Sequence, residues 1–316
     1  MAIASTNVYP KHMDRSIQNI FFDGYSGIPS LFDKIATGSS LEGPRMRTVG
    51  AGSGGSWTEA ELSGLGELRE IKQGNPFAFD LPVEGHEKTL KPTKYGLGFQ
   101  VTEEMVKDDV QRNFEKMPKM LAKSAAYKRE TVFWDLFNNG FATHKAWDGN
   151  YIFMKTTRTT LKSKDNQFNN PTTDVALGET GLQAAFEYYD GLVNAAGIPI
   201  TGGTKFVLLI SKENRWTAQE LWKDEGPHES ADRNINTLDP KNMKESWRPL
   251  VVPHLTSTTA WFLLSLDLHD FRFMWWDPIR MDSADDFATG NALFKVGCRF
   301  GVGCFDPMGA YGTDGA

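Results

Sequence analysis

Phe294-Lys295-Val296-Gly297-Cys298-Arg299-Phe300-Gly301-Val302-Gly303-Cys304 sets an apolar or sulfur side chain at every second position, with Lys, Gly or Arg between. Strict alternation marks a β-strand whose two faces meet different surroundings. At ~3.3 Å per residue the strand runs nearly 40 Å, longer than a small enzyme's sheet needs. It leads into an aromatic and glycine-rich end, Phe305-Asp306-Pro307-Met308-Gly309-Ala310-Tyr311-Gly312. Such a strand suits a thin, extended wall better than a pocketed globule.

Immediately upstream, Asp277 to Asn291 reads as a turn-rich excursion, preceded by strands at Leu250 to His254, Ala260 to Leu266 and Phe271 to Trp276. Lys223 to Trp247 is a long hydrophilic excursion of the kind that tends to be functional. Ser211 caps a helix through Trp216, Leu221 and Trp222, and Phe206 to Ile210 is a buried strand. Thr180 is expected to cap a helix with the face Leu182, Ala185, Phe186, Tyr189, Leu192, Val193 and Ala196, closed by Gly197 and Pro199. The Thr- and Asn-rich run from Lys155 to Thr173 separates this compact unit from what precedes it.

Before it, a 3.6-residue period starts after Thr102, a candidate N-cap with Glu103 and Glu104 in the first turn. Val106, Val110, Phe114, Met117, Leu121, Ala125, Val132 and Leu136 form its stripe, and Gly140 ends it. Pro118 divides it into a short helix and a long one. Between about Leu62 and Val101 the pattern is β. Phe77, Phe79, Leu81 and Val83 alternate, then Tyr95, Leu97, Phe99 and Val101, with Glu84 to Glu87 as the turn. Prolines 76, 82 and 92 confine this ribbon to an edge or a free-standing hairpin, marginal by itself in water. Residues 1 to about 60 read as an extended arm with one apolar knot, Ile20-Phe21-Phe22, and a Gly-Ser hinge from Gly50 to Gly55. Arm and ribbon both predict a partner surface.

The composition narrows the function. In 316 residues, a hydrophobic share of 40% supports a real core, and 34 basic against 40 acidic residues, net −6, leave no footprint of a sequence-reading nucleic-acid protein. No segment approaches the ~20 apolar residues of a membrane span, and residues 1 to 10 lack the zones of a secretory signal. Cys298 and Cys304, six residues apart on one strand face, lie ~20 Å apart if extended, too far for a disulfide. They read as buried thiols of a reducing compartment.

Site chemistry is sparse. The Gly50 to Gly55 run and Thr201-Gly202-Gly203-Thr204-Lys205 lack the strand and helix context of phosphate cradles. The one acid-base or metal cluster to weigh is Asp267, His269 and Asp270 with His254, ordinary for a strand-to-strand turn. The pairs Glu103/Glu104, Asp108/Asp109 and Asp285/Asp286 diverge because neighbours in sequence point apart. No nucleophile elbow occurs. The late tryptophans lack the interleaved cations of a single-strand groove. The expectation is no enzyme: no catalytic, cofactor-binding or metal-binding residue.

In order, the chain is arm, ribbon, long helix, compact α/β unit and long terminal strand. That α+β order, together with Lys94-Tyr95-Gly96-Leu97-Gly98-Phe99-Gln100-Val101-Thr102-Glu103-Glu104 and Asp108-Asp109, resembles the major capsid proteins of tailed bacteriophages with the Hong Kong 97 fold. Leu121-Ala122-Lys123-Ser124-Ala125 running to Phe137-Asn138-Asn139-Gly140, Arg299-Phe300-Gly301-Val302-Gly303 and Gly309-Ala310-Tyr311-Gly312 carry the same resemblance over nearly the whole chain.

The resemblance implies an N-terminal arm over 1–60 anchored by Phe21 and Phe22. It implies an E-loop over 61–101 that reaches a neighbouring subunit through Phe77, Phe79, Leu81, Val83, Tyr95, Leu97 and Phe99. A peripheral domain covers 102–173 and 272–316, with a spine helix at about 113–139 whose face is Phe114, Leu121, Ala125, Val132 and Leu136, and a peripheral loop at about 277–291. Residues 174–271 form the axial domain. The implied function is a shell protein that self-assembles as pentamers and hexamers into the icosahedral head of a virion around double-stranded DNA, in the host cytoplasm. Its implied partners are copies of itself, a portal protein, a separate scaffolding protein or none, a decoration protein and packaged DNA without base reading; no membrane and no cofactor are implied. The early ribbon leaves no room for a fused scaffolding segment, and no Lys to Asn cross-link is expected. The alternatives are an encapsulin-type bacterial compartment and a soluble metal-dependent hydrolase using Asp267 and His269.

Overall fold

The computed structural model describes residues 11–36, 46–48, 55–62, 65–74, 76–77, 79–102, 104–105, 116–156, 158–159, 165–166, 174–194, 197–200, 203, 205–222, 238, 246–286 and 289–315. Phe114, the Gly50 to Gly54 run and most of the excursion from 223 to 245 lie outside them.

The alternating stretch is strand β11, Ala292–Cys304. It pairs antiparallel with β10, Phe271–Asp285, on one side and with β4, Thr93–Val101, on the other. A short β1, Met46–Thr48, runs parallel to β10 and completes the order β1-β10-β11-β4. Alternation in burial follows alternation in sequence: Ala292, Phe294 and Val296 are buried, while Leu293 and Lys295 are exposed. From Phe300 to Cys304 both faces are closed. Phe300 and Cys304 enter the main core, while Gly301 and Gly303 on the other face lie against Leu90. The expected turn-rich excursion at 277–291 is mostly strand among the described residues, because β10 continues to Asp285.

Helix α3, Lys116–Asn138, crosses one face of this sheet and buries Leu121, Ala122, Ala126, Phe133, Trp134, Leu136 and Phe137. Pro118 sits in its first turn, where a missing N–H costs nothing. The buried face is rotated from the expected stripe: Leu121 and Leu136 are buried, but Ala125 and Val132 are only half-buried. At its centre is Glu130, whose carboxylate accepts hydrogen bonds from Ser30 Oγ at 2.6 Å, Leu31 N at 2.9 Å and Trp134 Nε1 at 2.8 Å. A buried carboxylate is tolerable only when so satisfied.

The arm corrects the sequence reading. Residues Lys11–Ser26 form helix α1 rather than extended chain, followed by a single turn, α2, at Asp33–Ala36. Ile17, Phe21 and Tyr25 recur every four residues and pack on Leu121, Ala122 and Phe294. The Ile20-Phe21-Phe22 knot hid that period. Phe21 is fully buried in its own chain, whereas Phe22 remains exposed.

The ribbon is also paired differently from the expectation. Among the described residues, Phe77 and Phe79 to Val83 form no strand. The hairpin consists of β2, Trp57–Leu62, and β3, Glu84–Leu90, with 63–83 between them, while Tyr95 to Val101 belongs to β4 of the main sheet. Alternation identifies a two-faced strand but not its partner, and β2 carries little apolar pattern to announce itself.

The second sheet, β12-β9-β7-β8, is built from β7 Lys205–Ile210, β8 Ser246–Val251, β9 Trp261–Ser265 and β12 Ala310–Thr313. Helices α4, Glu179–Asp190, and α5, Arg215–Trp222, cover one face around Leu182, Tyr189, Phe206, Trp247 and Trp261. The other face shares the core of the first sheet through Val207, Leu209, Phe262 and Leu264. Gly178, not Thr180, precedes α4 as its N-cap, and Gly191 ends it six residues before Gly197. Strand β8 begins earlier than expected and buries Trp247. After β11 the chain returns to this second sheet through β12, so the last residues join the two sheets. The polar run from 155 to 173 includes the two-residue strands β5, Arg158–Thr159, and β6, Asp165–Asn166. Arg158 is buried, donating to the carbonyls of Tyr151 and Ile152 and pairing with Asp148.

Candidate functional site: the hairpin, its root and the open sheet face

The hairpin holds together mainly by polar cross-strand pairs. Trp57 faces Leu90, Glu59 faces Lys88, and the Thr58 and Thr89 hydroxyls are 2.8 Å apart. A bulge after Ala60 turns Glu61 toward His86, with Nδ1 3.0 Å from Oε2. Bulges twist a ribbon and re-aim its side chains.

Its root is fixed from three directions. Leu90 packs with Met274, Trp276 and Phe305, joined by Trp57 and Trp147. Lys88 Nζ donates to the carbonyl of Lys145. Arg272 of β10 donates to both oxygens of Asp270 at 2.7 Å and to Glu59 of β2, and lies 4.3 Å from the centre of the Phe305 ring. Burial lowers the Lys88 pKa, while burial of Asp306 close by pushes its carboxyl up to about 7. Burial likewise pushes the thiols of Cys298 and Cys304 up, so neither is an activated nucleophile.

Beyond the hairpin, the tip has almost no cover. Leu68 is fully exposed, Phe79 is 95% exposed, and Leu65, Phe77, Leu81 and Val83 are at least half exposed. An internal tie joins the limbs, Gly66 N donating to Asp80 Oδ2 at 2.7 Å. Burying each of the larger of these side chains is worth roughly 1.5–3 kcal/mol, stabilisation this chain alone does not collect. Leu65 and Leu68 escaped the sequence reading because they stand in a Gly- and Glu-rich run. Glu59 and Arg272 escaped it because no pattern links positions so far apart.

The remaining predicted contact residues divide. Tyr95 and Phe99 stack within the main sheet on Phe300 and Phe294, with ring centres 4.6 and 5.1 Å apart, while Leu97 is 56% exposed. On the opposite face of β4 and β11 lies an open groove of about 640 Å³, lined by Gly98, Gln100, Asp282, Leu293 and Lys295 among others.

The acid-base cluster does not assemble into a metal centre. His269 is buried against Gly309 while Asp267 is exposed, and His254 packs beside Tyr127. Among the described residues no group of three or more His, Cys, Asp or Glu side chains is placed to hold a metal ion. No described helix is long and apolar enough to cross a membrane.

Solved shells have this architecture. A virus-like particle from Pyrococcus furiosus aligns at a TM-score of 0.52 and 8% identity over 96% of this chain and 100% of that one. The capsid of the empty GTA particle gives 0.54 and 9% over 84% and 87%, and that of Cyanophage P-SCSP1u 0.50 and 11% over 86% of each. No curated protein matches the sequence. The sequence profile of the phage capsid protein family matches residues 87–312, from within β3 to within β12. Spanning both sheets and helix α3, that match places the chain in the phage capsid protein family, as a major capsid protein of the Hong Kong 97-type fold.

Proposed function

We propose that this chain assembles as pentamers and hexamers into an icosahedral head enclosing double-stranded DNA, each hairpin tip reaching a neighbouring subunit. The observation that carries the proposal is the uncovered apolar tip, Leu65, Leu68, Phe77, Phe79 and Leu81, held out by a firmly anchored root. Such a feature is unfavourable in a lone molecule and favourable in a closed shell, where symmetry repeats each small contact.

Packaged DNA would be met without base reading. Lys119 and Lys123, exposed on the outer face of α3 with no ion pair among the described residues, suit that contact. A portal, a separate scaffolding protein and a decoration protein complete the partners of such a head. Assembly in the host cytoplasm and the absence of catalysis belong to the same reading.

Electron microscopy of the purified full chain tests it. Regular closed particles are expected; a dispersed monomer at micromolar concentration refutes the proposal. The full-length alignment to the archaeal virus-like particle supports a second reading, a compartment shell of the encapsulin kind. Particles from the native source decide between them: nuclease-protected DNA supports the head, and enclosed host protein without DNA supports the compartment.

A further inference from the structure

At its root the hairpin brings acids down on acids. Glu59 and Glu61 of β2 come against Asp270, just before β10, and Asp306, in the loop that joins β11 to β12. Arg272 settles the first meeting by donating to Asp270 and Glu59 together. Among the described residues no such bridge spans Glu61 and Asp306. Glu61, 7% exposed, is paired with His86 of its own hairpin at 3.0 Å, and Asp306 accepts from Met308 N at 2.8 Å. Arg158, whose charge reaches Asp306, is committed to Asp148 and to the carbonyls of Tyr151 and Ile152. Lys88 is turned to the Lys145 carbonyl. Cys304 and Tyr188 also face Asp306, and burial keeps both neutral by pushing their pKa values up. With Asp306 ionised, Glu59, Glu61, Asp148, Asp270 and Asp306 set five negative charges against Lys88, Arg158 and Arg272.

We infer that the hairpin root is a proton-operated latch: with the Asp306 carboxyl protonated, β2 and β3 stay seated, and its ionisation against Glu61 and Asp270 lets the hairpin come away from a body that remains folded. The latch belongs to the single chain and does not depend on assembly. Local architecture suits release at this point. The apolar part of the seat is small, Leu90 and Trp57 against Met274, Trp276, Phe305 and Trp147, while Glu84, His86, Glu87 and Thr89 of β3 are exposed. Only Lys91 and Pro92 lie between the end of β3 and the start of β4, a joint at which the ribbon can tilt without opening the ladder of β4 and β11. Desolvation is the largest cause of the raised Asp306 pKa of about 7, and the charges of Asp270 and Glu61 add to it. Release returns water to the carboxyl and carries Glu61 away, so the released state favours the ionised form. Seating is therefore strongest well below pH 7 and weakens as pH rises through about 7.

Amide hydrogen exchange of the dilute, unassembled full chain, corrected for the intrinsic rate at each pH, tests the latch. A free two-stranded ribbon is marginal in water, so release exposes the amides of β2 and β3. Their protection should fall about tenfold between pH 6 and pH 8. Their exchange should also depend less on urea than that of β7 and β9, because a local opening exposes little surface. Asp306→Asn keeps the acceptor for Met308 N and should abolish the fall. Glu61→Gln, on the hairpin side of the seam, should raise protection of β2 and β3 at pH 8 above the parent's. Equal protection at the two pH values overturns the latch, as does β2 and β3 exchange with the full urea dependence of β7 and β9, or a Glu61→Gln variant no better protected than the parent. A fall that survives Asp306→Asn and disappears in His86→Gln moves the proton to the hairpin's internal pair and equally overturns it.

Discussion

Arg272 and Glu59 are 213 residues apart in sequence, yet Arg272 Nη2 donates to Glu59 Oε1 at 3.1 Å, joining the main sheet to the hairpin root. Burial alone would lower the Arg272 pKa. The bonds to Asp270 and Glu59 outweigh it and leave the guanidinium more firmly protonated than usual. The Asp270 and Arg272 side chains are 13% and 15% exposed, whereas Glu59 is 35% exposed. Arg272→Ala, which strands the Asp270 carboxylate, should therefore cost about 3–5 kcal/mol. Glu59→Gln should cost under about 1 kcal/mol. Urea unfolding of the unassembled chain separates the two; equal costs would mean that the buried pair does not organise the root.

At Glu130 the three donors create a directional demand. In Glu130→Gln one oxygen survives to serve Ser30 and Leu31, but an amide N–H₂ then faces the Trp134 Nε1 donor or displaces the other bonds. The expected loss is roughly 1–3 kcal/mol. Trp134→Phe removes the opposed donor, so a double-mutant cycle should return a favourable coupling of about 1 kcal/mol in the pair. Strict additivity would place the cost of Glu130→Gln elsewhere.

These two contacts mark where the sequence stops speaking. The terminal strand was legible because Phe294, Val296 and Phe300 face a core while Lys295 and Arg299 do not, and a two-residue period records that difference directly. Helix α3 was legible at Leu121 and Leu136 for the same reason. Helix α1 was readable but masked: Ile17, Phe21 and Tyr25 have helical spacing, and the adjacent Phe22 blurs it. The hairpin was mispaired because Phe77, Phe79 and Leu81 alternate as a strand does, and nothing in a period names the surface that answers it. Arg158 looked like part of a polar connector, since a buried cation is recognisable only by its partners, Asp148 and two carbonyls. The root at Glu59, Arg272 and Asp270 is long-range electrostatics, invisible to any local pattern.

Asp306 gives the fold a pH signature. The residue is only half-buried, but desolvation of its carboxyl is the largest cause of a pKa of about 7, with Asp270 and Glu61 raising it further against the hydrogen bond from Met308 N and the charge of Arg158. In the unfolded chain the group titrates near the usual ~3.9. Between those values the folded state binds the extra proton, so this group's contribution to stability is full below about pH 4. It declines as pH rises through about 7, by up to about 4 kcal/mol. Asp306→Asn keeps an acceptor for Met308 N and removes the titration. Unfolding measured at pH 5 and pH 8 should show a decline in the parent that the variant lacks, with the variant the more stable at pH 8. A parent as stable at pH 8 as at pH 5 would falsify the assignment.

The glycines near the C-terminus separate steric need from conformational freedom. A Cβ on Gly309 would lie 2.1 Å from His269 N and 2.4 Å from Leu268 C, backbone atoms that cannot swing aside. The Gly309 carbonyl also accepts from Ser265 N at 3.0 Å and from Tyr189 Oη at 3.2 Å, tying β12 to the second sheet at the point of closest approach. Gly309→Ala must therefore lift β12 from β9 or move the 268–269 turn. Either loosens the contact between Tyr311 and Tyr188, whose ring centres are 5.5 Å apart. Gly74 is the converse case: its φ of +89° favours glycine, but no atom lies within 4 Å of a Cβ there. Gly74→Ala should cost about 1 kcal/mol of backbone strain and still give soluble protein. Gly309→Ala should exceed about 3 kcal/mol, on the scale of overpacking a rigid core, and deplete the soluble fraction. Comparing soluble yield and thermal midpoint for the two variants tests whether the last strand is held by fit, and equal effects would assign its glycines to chain flexibility instead.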